Sequence, residues 1–340
     1  MAARKTSRQT TQGSAEDRLI AKYFRPLATH PGARGLIDDA AVISVPSGHE
    51  LVLTADGVIA GVHFFPDDPP DTVARKALRI NLSDLAAKGA KPLGFLLSIA
   101  LRQGTPESWL KGFTAALRAD ARRFGCPLLG GDTDRTPGLV SVSVAAFGTL
   151  PRGTMVRRDG AQAGDRIAVT GTIGDAALGV KLRREPGLAK RWGLDAKMRD
   201  HLLQRYLVPQ PRNAIAAALR QHAHGAMDVS DGLAGDLAKL CRASRVDATV
   251  EIARLPLSRA ARTALAADPA LIETILTGGD DFEVLASLSP RKLDALRKAA
   301  RTAGVALTEI GRVTRGAGKS RLLDPQGRAL TFARPSYSHF

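Results

Sequence analysis

The acidic residues of this chain gather beside glycine, and that placement constrains it more than anything else in the sequence. Carboxylates stand at Asp38-Asp39, Asp56-Gly57, Asp84, Gly130-Gly131-Asp132, Asp228-Val-Ser-Asp231-Gly232 and Gly278-Gly279-Asp280-Asp281. Several of these positions fall at expected strand ends or turns. Such ends let a fold present carboxylates to a cleft while its backbone approaches a ligand closely. Taken singly, an Asp-Gly pair is a turn, and Ser230 or Asp231 is a helix N-cap. Six sites and two Gly-Gly-Asp tripeptides in one chain point instead to a shared site for hard cations and phosphate, since Asp and phosphate oxygens are what magnesium prefers.

The pattern between these sites is mixed α/β in two halves. Residues 51–58 and 94–101 read as strands, and 139–149 alternates with period two as a half-buried strand. Residues 71–90 and 106–124 read as helices, the second opened by Thr105-Pro106. A break at Leu150-Pro151-Arg152-Gly153 separates the halves. Strands then follow at 166–170, 225–229, 246–252, 282–288 and 305–313. Helices fall at 174–182, 197–207, 212–223, 233–242, 257–267 and 290–303. The expected organisation is a basic tail over 1–15, an N-terminal domain over 16–150 and a C-terminal α/β domain over 151–340.

The chain carries 49 Lys and Arg against 33 Asp and Glu, a formal charge of +16. The arginines are scattered (Arg118, Arg122, Arg123, Arg259, Arg262), and aromatics make up 4% of the residues. That distribution argues for a solvated basic surface that attracts phosphorylated small molecules, and against a nucleic-acid binder. The best apolar run, Gly94-Phe-Leu-Leu-Ser-Ile-Ala-Leu101, has strand length, so no membrane span is expected. Cys126 and Cys241 lack metal or CxxC spacing and read as reduced thiols of a cytoplasmic protein. Gly316-Ala-Gly-Lys-Ser320 looks like the end of a Walker A loop, but Val313 stands where its first glycine belongs and no helix follows, so it reads as a surface loop. Kinase signatures and a G-x-S-x-G elbow are absent. ATP, if bound, is held by magnesium on several aspartates.

Eight motifs in order resemble the thiamine-monophosphate kinase family, within the superfamily of aminoimidazole ribonucleotide synthetase and selenophosphate synthetase. They are Ile37-Asp-Asp-Ala-Ala-Val42, Thr54-Ala-Asp56, Gly61-Val-His-Phe64, Asn81-Leu-Ser-Asp-Leu-Ala-Ala-Lys-Gly-Ala90, Gly130-Gly-Asp-Thr133, Val169-Thr-Gly-Thr-Ile-Gly-Asp175, Met227-Asp-Val-Ser-Asp-Gly232 and Thr277-Gly-Gly-Asp-Asp-Phe-Glu283. The resemblance implies transfer of the γ-phosphoryl group of ATP to thiamine monophosphate. It implies several Mg2+ ions at Asp39, Thr54, Ala55, Asp56, Asp84, Asp132, Asp228 and Asp231. It places ATP at Gly131, Asp132, Arg158 and Ser230, and the acceptor at His63, Asp280 and an aromatic, either Phe332 or Tyr337, with Phe332 the better match. Relatives carry Thr where Ala55 stands and Glu where Asp280 stands. A thiamine-monophosphate kinase of this kind folds as two α/β domains and dimerises by joining N-terminal sheets. Its acceptor is an anionic phosphate oxygen, so in-line transfer needs positioning and charge neutralisation rather than a general base. The rival within the superfamily is an ATP-using enzyme like aminoimidazole ribonucleotide synthetase.

Overall fold

The computed structural model describes residues 14–334, Ser336 and Tyr337. The expectation of a basic tail falls mostly on residues 1–13, outside the described residues. Ser14 already caps a short helix, α1 (Ala15–Leu19), by a reciprocal bond with Asp17.

Four strands and two long helices build the first layer: β1 (His49–Ile59), α2 (Pro70–Ala87), β2 (Lys91–Arg102), α3 (Glu107–Phe124), β3 (Leu128–Thr136) and β4 (Ser141–Pro151). The sheet runs β1-β4-β2-β3, antiparallel except for the parallel β2–β3 pair. The period-two pattern of β4 decides its faces. Val142, Val144, Ala146 and Leu150 are buried with α2 and α3 in one core, while Ser143, Ala145, Phe147 and Thr149 look the other way. The outward row continues on β1, where Leu53 is 63% exposed and Leu51 and Ile59 are also exposed. Among the described residues, helices cover one face of this sheet, and β1 is an unpaired edge.

The sequence reading did not list β3 as a strand, and it placed Gly130-Gly131-Asp132 just past a strand end. The tripeptide lies inside the strand. Gly and Asp are poor strand formers, so propensity hid it. The parallel pairing with β2 overrides propensity, and it demands glycine. A Cβ on Gly131 would stand 1.8 Å from the Leu97 carbonyl oxygen.

The second half supplies β5 (Arg166–Thr170), α4 (Asp175–Arg184), α5 (Leu188–Arg191), α6 (Ala196–Leu207), α7 (Ala216–His222), β6 (Gly225–Val229), α8 (Leu233–Ser244), β7 (Val246–Glu251), α9 (Arg259–Ala267), α10 (Leu271–Thr277), β8 (Glu283–Leu288), α11 (Leu293–Thr302), β9 (Leu307–Arg315) and β10 (Ser320–Leu323). Its six strands run β10-β7-β9-β5-β8-β6. All six residues of β8 are buried. Ile167, Val169 and Leu285 enter one core, and Ala168, Val284 and Ala286 enter another, so helices cover both faces. That is why β8 shows no in–out alternation: Val284, Leu285 and Ala286 are consecutive and all buried.

Helix α2 ties the two sheets together. Pro70 opens it, and Gly89 at φ +75° follows its end. Fourteen of its eighteen residues are buried. Arg79 forms a two-pronged pair with Asp120 of α3 (2.6 and 2.9 Å) and also donates to the Pro209 carbonyl at 2.9 Å. Asn213 donates to Leu82 O at 3.0 Å, and Lys88 to Ala226 O at 2.7 Å.

The Walker-like loop has its own occupant. The backbone N–H groups of Ala317, Gly318 and Lys319 all donate to Asp247 Oδ1, at 3.0, 3.1 and 2.8 Å. Successive N–H groups of this kind make an anion cradle. Here the chain's own carboxylate fills it, and those bonds hold Asp247 below the ordinary carboxylate range.

Candidate active site

A cleft of about 520 Å3 opens between the two sheets, lined from both halves of the chain. Strand β1 brings Asp56, and the turn after it brings His63. Helix α2 brings Asp84, the end of β6 brings Asp228, Ser230 and Asp231, and the loop before β8 brings Asp280.

The carboxylates act on one another. Burial, then the neighbouring Asp84 and Asp231, push Asp56 up to about 6. Burial and Asp84 raise Asp228 well above the usual range, against the nearby Ser83 hydroxyl and the charge of Lys88. Thr54 donates to Asp84 Oδ2 at 2.6 Å, and the Asp56 N–H donates to Asn81 Oδ1 at 3.0 Å, which fixes β1 against α2. Asp231 pairs with Lys239, which also bonds Asp236 at 2.8 Å. Uncompensated carboxylates this close call for a cation. Among the described residues no three His, Cys, Asp or Glu side chains are arranged to hold a metal by themselves. Carboxylate oxygens are the hard donors that magnesium takes, one or two at a time, with water and phosphate completing its shell.

Two glycine-bearing loops meet backbone to backbone at the cleft floor. A Cβ on Gly279 would lie 2.3 Å from Ser230 O. The Asp280 N–H donates to the same carbonyl at 2.9 Å, and Asp280 itself adopts φ +73°. Only Asp280 of the Gly278-Gly-Asp-Asp-Phe-Glu283 stretch offers its carboxylate to the cleft. Asp281 is buried and accepts from the Gly174 and Ala176 N–H groups at the start of α4 (2.7 and 3.4 Å). Glu283 is buried and accepts from Thr170 at 2.6 Å, Arg205 at 2.8 Å and Arg212 Nε at 2.6 Å. The motif is thus half recognition surface and half scaffold.

The structure divides the expected site residues. Thr54, Asp56, His63, Asp84, Asp228, Ser230, Asp231 and Asp280 come together at this cleft. Asp39, Gly131 and Asp132 line a second cavity of about 650 Å3 with Leu96 and Phe147. The register explains the separation. Asp56 lies opposite Val144, Val144 opposite Leu97, and Leu97 opposite Gly131, so three strand spacings intervene, about 14 Å. Asp132 also shares a row with Ser98, on the sheet's open face. Within the chain, the expected residues therefore fall in two groups. Ala55 pairs with Ala145 and points outward. Arg158 is exposed and lies outside the lining of the cleft, beside Lys88, whose ammonium burial and Arg158 hold below its ordinary value. Arg157 bonds Asp159 at 2.8 Å. Phe332 packs against the core of the second sheet, whereas Tyr337 lines the cleft and donates its N–H to Asp231 O at 3.0 Å.

Sequence reasoning missed Lys76, Lys88, Lys181, Arg184 and Tyr206. Lys181, Arg184 and Tyr206 line the cleft, and Lys76 lies beneath it. Nothing near them marked function, because isolated basic and aromatic residues on helices are ordinary.

A six-stranded sheet buried on both faces, a four-stranded sheet open on one and an acid cleft between them define a class. Residues 37–150 match the family described as AIR synthase related protein, N-terminal domain, and residues 162–323 match its C-terminal domain. Within that class, the thiamine-monophosphate kinase of Caulobacter vibrioides is 40% identical over 94% of this chain and 89% of its own length. The crystal structure of the Stenotrophomonas maltophilia thiamine-monophosphate kinase is 37% identical, with TM-score 0.81 over 94% of this chain and 98% of that one. AaThiL complexed with AMPPCP and TMP is 28% identical, with TM-score 0.75 over 91% and 97%. The chain belongs to the thiamine-monophosphate kinase family.

Proposed function

We propose that this chain transfers the γ-phosphoryl group of ATP to thiamine monophosphate, giving ADP and thiamine diphosphate. One observation carries the reading: four carboxylates from both halves of the chain (Asp56, Asp84, Asp228 and Asp231) crowd one cleft. A phosphate oxygen is anionic at pH 7 and needs no base, and the obstacle is repulsion between two polyanions. The solved relative complexed with AMPPCP and TMP supports a nucleoside triphosphate and a monophosphate as co-substrates. The family resemblance disfavours the aminoimidazole ribonucleotide synthetase reading.

The residues divide the work. Asp56, Asp84, Asp228 and Asp231, with Thr54 and the Ala55 carbonyl, are assigned to cations. Magnesium held there would neutralise phosphate charge and orient the transferring group. His63, Asp280 and Tyr337 are assigned to the acceptor, and Ser230 to nucleotide. Asp39, Gly131 and Asp132, at the second cavity, are assigned to nucleotide and its metal, with Arg158 as a further phosphate contact. His63 Nδ1 accepts from the Ile59 N–H at 3.1 Å, which places the proton of the neutral ring on Nε2 as a donor. The open face of the first sheet and its unpaired β1 edge support a homodimer through that sheet. No helix among the described residues is long and apolar enough to cross a membrane. Two buried free thiols, Cys126 and Cys241, accord with a cytoplasmic setting.

The test is ADP release from ATP, magnesium and thiamine monophosphate, with the product identified by mass. Thiamine diphosphate is expected. Asp84→Ala and Asp132→Ala are each expected to lose at least about 100-fold in turnover while melting cooperatively. Near-normal turnover in both variants removes the metal assignment.

A further inference from the structure

Lys76 is a buried cation that the reaction as described leaves unused. Its side chain is 3% exposed. The ammonium lies 2.7 Å from Asp280 Oδ2, 2.9 Å from the His63 carbonyl oxygen and 4.0 Å from the centroid of the Tyr206 ring. These partners come from three separate segments, and all three residues line the cleft. Three donors meet a carboxylate, a carbonyl and a π face, so the cation is satisfied where it sits.

Its partners are themselves constrained. Asp280 holds a left-handed φ that L-residues rarely adopt. Strain of this kind persists only where the surroundings over-determine it, and it gathers at ligand sites. The loop bearing His63 is clamped again further along. Asp68 accepts from the Phe65 N–H at 2.8 Å, from Arg183 at 3.0 Å and from the Tyr206 hydroxyl at 3.1 Å. Tyr206 thus touches both Lys76 and Asp68, and the loop has no slack at either end.

We propose that Lys76 is a positioning residue for the acceptor. It neutralises Asp280, keeps that carboxylate out of the cation-binding set formed by Asp56, Asp84, Asp228 and Asp231, and holds the His63 backbone in place. With Oδ2 engaged, Asp280 turns a single oriented acceptor oxygen to the cleft. A neutral heterocycle carrying a hydrogen-bond donor meets that oxygen. The inference rests on the reading of His63 and Asp280 as acceptor contacts.

The test is steady-state kinetics of Lys76→Met and Lys76→Arg with ATP and thiamine monophosphate varied separately. Lys76→Met is expected to raise KM for thiamine monophosphate at least tenfold and to leave KM for ATP within twofold. Adding Asp280→Asn to Lys76→Met is expected to recover part of that loss, because it removes the carboxylate left unpaired. A purely structural lysine would instead lower kcat and shift both KM values together, with no recovery. Where Lys76→Met fails to fold, the same split is read in Lys76→Arg, whose planar fork keeps the charge but misplaces it, with an expected three- to tenfold rise for the acceptor alone. An unchanged acceptor KM in a folded variant overturns the inference while the kinase reading stands. Absence of thiamine diphosphate from the wild-type protein overturns both.

Discussion

Asp56 shows what the acid cluster costs before any cation arrives. Its carboxyl titrates near 6 in the folded chain, against an ordinary value of 3.8. A raised carboxyl stabilises the folded state only while it keeps its proton. That contribution is complete below about pH 4 and is lost as pH climbs through about 6. In EDTA, the protein is therefore expected to be less stable at pH 7 than at pH 5, and Asp56→Asn is expected to flatten that difference. Thermal melts of both proteins at the two pH values check it, and an equal pH response in the two would remove the crowding argument. Little of this was legible in the residues alone. The Gly-flanked acids announced a cation site, but the sequence does not say which acids meet. Asp132 sits across the sheet from Asp56, and Asp281 and Glu283 turn inward as scaffold, because strand register and helix capping decide these matters. The aromatic position went the same way, since spacing to the nearest motif cannot tell Phe332, packed on a core, from Tyr337, in the cleft.

Among the elements, α2 carries the greatest burden. Lys76, Arg79, Asn81, Asp84 and Lys88 each reach a different neighbour from it. The Arg79–Asp120 pair is 1% and 4% exposed at its side chains. Removing one partner of such a pair leaves a buried charge, so Asp120→Ala is expected to cost about 3–5 kcal/mol in chemical denaturation. A loss below about 1 kcal/mol would show that the pair is replaceable. The helix itself was plain in the sequence, because Val73, Ala77, Ile80 and Leu85 recur near helical spacing. So were the strands of both halves wherever β-branched or Leu-rich runs alternate. Helices α1, α5 and α10, of five, four and seven residues, are not legible in the sequence. A period of 3.6 cannot declare itself over so short a span.

At the scale of the molecule, the two sheets differ in how they are finished. The second is closed by helices on both faces. The first leaves Leu51, Leu53 and Ile59 in solvent along an unpaired edge. Leu53→Lys is expected to convert the proposed dimer into a folded monomer in analytical ultracentrifugation. A dimer that survives this change must use another face. The mixed α/β make-up could be read from the alternation of elements. The pairing order of the strands could not, because it depends on contacts between distant segments.

The span of α2 from Lys76 to Asp84 is eight residues, about 12 Å of rigid rod. On the assignments proposed above, one end anchors the recognition of the acceptor, and the other anchors the carboxylates where phosphate charge gathers. The helix is therefore a ruler. It measures the distance between the head of a ligand and its reactive tail, and a ligand with a shorter tether brings its phosphate up short however well its head is held.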